Sequence, residues 1–154
     1  MRPPAPNGAV HEPAAAQRRG ADPGASAWVA ASAGTGKTKV LIDRLLRLLL
    51  AGARPSQLLC LAFTKAAAAE MANRLARRLA RWAALAEADL AAEIADLTGE
   101  PPRAADLAAA RRLFAAVLDA PGGLTIETIH GFCQSLLRRF PLEAGVAPHF
   151  QVMD

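Results

Sequence analysis

Lysine is scarce in this chain of 154 residues: three lysines stand against 15 arginines and 38 alanines. So strong a bias reads as a general preference of the coding sequence, which leaves alanine-rich helices with little functional meaning. It makes the lysines themselves worth locating, and they fall at Lys37, Lys39 and Lys65. Cysteine is scarcer still. Cys60 and Cys133 lie 73 residues apart, without metal-ligand spacing, and read as reduced, buried thiols. Long hydrophobic runs are missing too. The most apolar stretch, VLIDRLLRLLLAGA, is broken by Asp43, Arg44 and Arg47, far short of a membrane span. The N-terminal segment lacks an apolar core of signal-peptide length. A cytoplasmic chain with no membrane contact is the expectation. The net charge of +4 and pI near 9.8 allow a polyanionic partner without requiring one. At 53% apolar, the chain has material for one ordinary core.

Periodicity organises what remains. Residues 1–16 are rich in Pro, Ala and Gly and read as a disordered tail, with His11 in it given no role. From Ala27 the pattern is strand (AWVAA), turn (SAGTG) and helix from Lys37 to about Ala51. Leu41, Leu45, Leu48 and Leu49 share one face of that helix, with Asp43 and Arg47 on another. QLLCLAFT reads as a strand buried on both faces, as in a parallel sheet. A long helical stretch is expected from Ala66 to about Leu97, with Met71, Leu75, Leu79, Trp82 and Leu85 on its apolar side. Beside them Arg74, Arg78 and Arg81 form a basic stripe that reads as a solvated face. TGEPP breaks the helix. A second runs from Ala104 to Leu118, and LTIETIHGF gives a short strand entering a last helix. Alternating strands and helices imply an α/β domain with a mainly parallel sheet, carrying a helical elaboration over about 75–120.

Chemistry concentrates first in ASAGTGKTKV, residues 31–40. Gly34, Thr35, Gly36, Lys37 and Thr38 follow the order of a phosphate-binding loop, with Ala31 where a first glycine usually stands, then Ser32 and Ala33. Such a loop wraps phosphates in backbone N–H groups at a helix N-terminus, where the dipole also favours negative charge. Lys37 is placed to reach the β- and γ-phosphates of ATP, and the Thr38 hydroxyl to ligate Mg²⁺. Ala31 sits at the strand end, where an alanine with negative φ costs little.

Two further stretches end on strands. LAFTKAAAAEMANRL delivers Phe63, Thr64 and Lys65 to a strand's carboxyl end, where open α/β sheets bind ligands. An aromatic beside polar and basic residues suits single-stranded nucleic acid, by stacking and phosphate contact. TIETIHGFC likewise places Thr128 and His130 at a strand end. Each has a plainer reading: Phe63 also fits a core position, and His130 a helix cap.

Taken in order, the three stretches resemble the superfamily 1 DNA helicases of the UvrD/Rep type. That group commonly carries A-x-A-G-T-G-K-T, and its motif Ia is matched by Phe63, Thr64, Ala66 or Ala67, Glu70, Met71 and Arg74. The stretch T-x-H-x-F-C is similar to its next DNA-contacting motif. SAWVAASAGTGKT, LAFTKAAAAEMANRL and PGGLTIETIHGFCQSLLRRFPLEAGVAPHF bring the resemblance closer to the AddA helicase–nuclease subunits of bacterial double-strand break repair. The resemblance covers about residues 17–154. It implies a partial RecA-like P-loop domain that uses ATP and Mg²⁺, single-stranded DNA and double-strand ends as substrates, and an AddB-type partner subunit. It also implies that Gln17, the one glutamine before the P-loop, reads adenine; the alternative is an exposed tail residue.

A hydrolysing P-loop enzyme also needs an acidic residue at the end of an apolar strand. Asp119 follows a run that fits a helix face, and Asp154 follows FQVM, interrupted by Gln151. Neither fits, and the resemblance puts the family's Asp-Glu pair later, so the chain reads as the N-terminal piece of a helicase. Two other classes stay open: a different P-loop enzyme such as a small-molecule kinase, and a non-catalytic nucleotide- or DNA-binding module.

Overall fold

The structure, a computed structural model, describes residues 12–30, 32, 34, 36–147 and 150. Among them the order is α1 (Glu12–Gly20), α2 (Lys37–Leu50), a 3₁₀ turn (Pro55–Gln57), β1 (Leu59–Ala62), α3 (Lys65–Ala84), α4 (Glu87–Thr98), α5 (Ala104–Asp119), β2 (Thr125–Thr128) and α6 (Ile129–Arg139). β1 and β2 pair in parallel, Leu59 opposite Thr125 through Ala62 opposite Thr128. The crossover between them is α3, α4 and α5.

The core lies where α2, α3, α4 and α5 meet. Met71, Leu75, Leu79 and Trp82 recur at three- and four-residue spacing, so one stripe of α3 faces inward. Ile42, Leu45, Leu46 and Leu49 meet it from α2, and Leu90, Ile94 and Leu97 from α4. Ala110 and Leu113 close it from α5, with Cys60 and Ile126 half-buried beneath it on the sheet. Burial pushes the Cys60 thiol pKa up, because the thiolate would lose its hydration.

Several elements differ from the sequence reading, each for a physical reason. AWVA is not a strand: residues 27–30 carry no regular structure, and Trp28 is 94% exposed. Strand geometry needs a partner for its backbone groups, and these residues have none in the two-stranded sheet. β1 is buried on one face only. Ala62 is buried and Cys60 half-buried, while Leu59 and Leu61 point away at 45% and 43% exposure. The stretch 66–97 is two helices. Leu85 and Ala86 are extended, which turns α4 back so that its own apolar stripe reaches the core. Residues 12–16 lie within α1, where composition alone gives a loose tail; residues 1–11 lie outside the described residues.

The apolar face of α2 is also rotated from the expected one. Leu41 is exposed, and Asp43 is buried to 5% exposure. Its Oδ2 accepts from Lys39 Nζ at 2.6 Å, and its Oδ1 lies 3.5 Å from Arg78 Nη1. Arg78 and Arg81 both pair with Glu93, which also accepts from Trp82 Nε1 at 2.9 Å. The polar network therefore joins α2, α3 and α4 across the top of the core.

Candidate nucleotide and single-strand site

The glycine loop enters α2 through Gly36, whose φ of +90° lies in the left-handed region, as does that of Gly34 at +79°. Only glycine takes such values without penalty. Lys37 opens the helix, and its Nζ donates to the Ser32 carbonyl at 2.6 Å. The ammonium is thus folded back over the loop. Thr38 follows, half-buried in the first turn. Ala31, Ala33 and Thr35 lie outside the described residues.

Gln17 reaches this loop from α1. A Cβ built on Gly36 would stand 3.1 Å from Gln17 Nε2, so the amide lies against the glycine that starts the helix. Two arginines of α2, given no site role by the sequence, fix that approach. Arg44 donates to the carbonyls of Asp22 and Ala25, the latter at 2.6 Å, and Arg47 donates to the Arg18 carbonyl at 3.0 Å. Both tie the end of α1 and the segment after it onto α2. Their signal was present: arginines two to three helical turns past the loop, with a segment of glycine and proline before it whose carbonyls need donors.

A positive-φ glycine pair, an opening helix N-terminus and a lysine on the loop fit a phosphate group, and a side-chain amide beside them fits a base edge. Among the described residues no cluster of three or more His, Cys, Asp or Glu side chains could hold a cation. Thr38 places a hydroxyl next to Lys37 in the first turn of α2. Asp119 is the last residue of α5 and exposed, and Asp154 lies outside the described residues.

The other two motifs meet at the carboxyl ends of the paired strands. Ala62 opposes Thr128 in the register, so Phe63, Thr64 and Lys65 leave β1 beside the point where Thr128 and His130 leave β2. Both exits are built alike. Thr64 caps α3, its Oγ1 accepting from Ala67 N at 3.1 Å, and Thr128 caps α6, accepting from Gly131 N at 3.0 Å. The cap of α6 is thus Thr128, not His130. Phe63 is 89% exposed and takes no part in the core, while Lys65 and His130 are exposed in the first turns of their helices. The five residues form one edge: an exposed ring, an ammonium, an imidazole and two hydroxyls. Among the described residues, no helix is long and apolar enough to cross a membrane.

A family model described as the UvrD/REP helicase N-terminal domain matches residues 13–154. The chain is also similar to AddA proteins, which are named as ATP-dependent helicase/nuclease subunits. That of Pelotomaculum thermopropionicum is 37% identical over 134 residues, covering 85% of this chain and 9% of the relative. That of Desulforamulus reducens is 36% identical over 129 residues, with 82% and 9% covered. That of Lactobacillus acidophilus is 31% identical over 132 residues, with 86% and 9% covered. The chain therefore spans about a tenth of the length of the curated relatives it matches. No solved structure matches it. The resemblance carried by the three motifs and the match over residues 13–154 agree: the chain belongs to the UvrD/REP helicase N-terminal domain family.

Proposed function

We propose that this chain is the nucleotide-binding part of an ATP-dependent DNA helicase of the AddA kind, within a RecA-like domain. It holds Mg²⁺·ATP at the loop before α2 and a single DNA strand along the exits of β1 and β2. The observation that carries the reading is the parallel register, which sets Phe63–Lys65 beside Thr128–His130 on one exposed edge. In the whole protein, double-strand DNA ends as substrate and an AddB-type partner belong to the same proposal.

Each residue has a task in it. Backbone N–H groups around Gly34 and Gly36 take the phosphates, and Lys37 releases the Ser32 carbonyl to reach them. Gln17 meets the adenine edge, and Thr38 offers its hydroxyl to Mg²⁺. Phe63 stacks on a base, worth about 1–3 kcal/mol. Lys65, Thr64, Thr128 and His130 contact phosphates. β1 runs into Phe63–Thr64 and β2 ends at Thr128, so neither strand ends in a carboxylate to orient water, and this chain binds nucleotide with little turnover.

The test measures Mg²⁺·ATP and oligothymidylate affinities of Lys37→Ala, Phe63→Ala and His130→Ala at fixed salt. Lys37→Ala weakens nucleotide binding and spares DNA; Phe63→Ala and His130→Ala do the reverse, the former by roughly tenfold or more. Rapid steady-state hydrolysis by this chain, or DNA affinity indifferent to Phe63 and His130, would refute the reading.

A further inference from the structure

We propose that the cleft between α2 and α3 is a second nucleic-acid contact, holding the backbone phosphates of a DNA strand through the arginine stripe of α3. The cleft has a volume of about 330 Å³, and its cations are Lys39, Arg74, Arg77, Arg78 and Arg81. Three carboxylates answer them. Glu70 pairs with Arg74 at 2.6 Å, Asp43 with Lys39 and Arg78, and Glu93 with Arg78 and Arg81. Five positive charges against three negative leave an excess of two within one cleft. The side chains of Arg74 and Arg81 are 51% and 63% exposed. The Arg77 guanidinium is exposed too, its Nε donating to the Asn73 carbonyl.

The spacing selects the occupant. Positions 74, 77, 78 and 81 share one face of α3 and extend about 10 Å along it. That length spans two or three successive phosphates of a nucleic-acid strand, while a single free phosphate would use only part of it. Guanidinium pairs with phosphate oxygens through two parallel N–H bonds, and the buried Asp43 and half-buried Glu93 each lie 3.5 Å from Arg78 in the cleft. The same helix starts at Lys65, on the edge proposed above for DNA. One rigid element thus carries both contacts, and in this respect the inference rests on that reading.

The experiment is a fluorescence-anisotropy titration of a labelled oligothymidylate of about twenty nucleotides, between about 50 and 200 mM KCl. The chains compared are the wild type, Arg74→Ala/Arg77→Ala, Phe63→Ala, and a charge-matched control, Arg54→Ala/Arg112→Ala. The double cleft variant loses roughly tenfold or more in affinity at the lowest salt, and its salt slope falls by about 0.7 for each phosphate contact removed. The control keeps both values. Should the double variant fail to keep the wild-type urea midpoint, Arg77→Gln gives the same reading, with about half the change in slope. A cleft variant matching the wild type overturns this inference, even where Phe63→Ala weakens binding and the strand-end reading stands. Weakening by the cleft variant alone removes the strand-end reading and keeps the cleft. Loss of calorimetric pyrophosphate binding with an unchanged oligonucleotide titration would make the cleft a free-phosphate site. Equal binding of a labelled polyglutamate would make it an acidic-peptide surface. Either result overturns the proposal, as does a wild type that binds no oligonucleotide at the lowest salt.

Discussion

Replacing Asp43 by alanine tests whether the network across the top of the core stabilises the fold. The Asp43 side chain is 8% exposed and contacts two cations of unequal burial. Lys39 is 52% exposed in its side chain and regains water when its partner leaves, so that pair contributes about 0.3–0.5 kcal/mol, as exposed i,i+4 pairs do. Arg78 is 27% exposed and keeps Glu93 3.5 Å from its Nε. That ion pair remains, although the buried Nε has no hydrogen-bond partner among the described residues, and the 3–5 kcal/mol cost of breaking a fully buried pair is an upper bound. About 2 kcal/mol remains, which lowers the melting temperature by roughly 4–8 °C in a domain of this size. Urea unfolding is the assay, because guanidinium chloride would screen the charges being tested. A double-mutant cycle with Arg78→Ala isolates the pair, with an expected coupling of about 0.5–1.5 kcal/mol. A loss under about 0.5 kcal/mol with no coupling would show the network to be incidental. A loss above about 4 kcal/mol would mean that Lys39 and Arg78 cannot rehydrate as their exposure implies.

Two other outcomes follow from particular atoms. Gly36→Ala costs about 1–2 kcal/mol from its left-handed φ; the 3.1 Å contact adds little because the end of Gln17 can swing away, so adding Gln17→Ala leaves the urea midpoint unrestored, and full restoration would make the contact the larger effect. Iodoacetamide alkylates Cys133, which is exposed, well before Cys60, whose thiol pKa burial raises; peptide mass spectrometry of a time course gives the order, and equal rates would contradict the burial of β1.

Local signals made much of this molecule legible. The repeat of Met71, Leu75, Leu79 and Trp82 gave the inward stripe of α3, and TGEPP marked the turn after α4. The two strands were found as apolar runs ending in polar motifs, with a helical crossover long enough for parallel pairing. What escaped was tertiary. AWVA has the composition of a strand, but composition cannot supply a hydrogen-bonding neighbour. Asp43 fell off the expected apolar face of α2 because its partner Arg78 stands 35 residues away and α2 is turned to meet it. Gln17, by contrast, was singled out by resemblance alone, and α1 carries it to Gly36. The break at Leu85–Ala86 has no glycine or proline to announce it. A weaker sign existed: Glu87 and Asp89 are the acids a helix prefers in its first turn, and the preceding polar residues of α3 are basic.

The choice of threonine at both strand exits bears on what those exits face. Asp and Asn cap helices as well as Ser or better than Thr, and an aspartate would add a favourable charge at the helix N-terminus. As a cap alone either would serve at position 64, but Thr128 is also the last residue of β2, where threonine is favoured and Asp and Asn are depleted. A carboxylate there would also repel any anion approaching the edge formed by Phe63, Lys65 and His130. Threonine differs because its hydroxyl accepts from the helix and still holds a proton to donate. Thr64 Oγ1 takes the Ala67 N–H and Thr128 Oγ1 the Gly131 N–H, so each O–H remains to be directed elsewhere. A residue that closes its helix and keeps a donor suits a surface that meets phosphates. The register of Ala62 and Thr128 sets these two hydroxyls side by side at the strand exits.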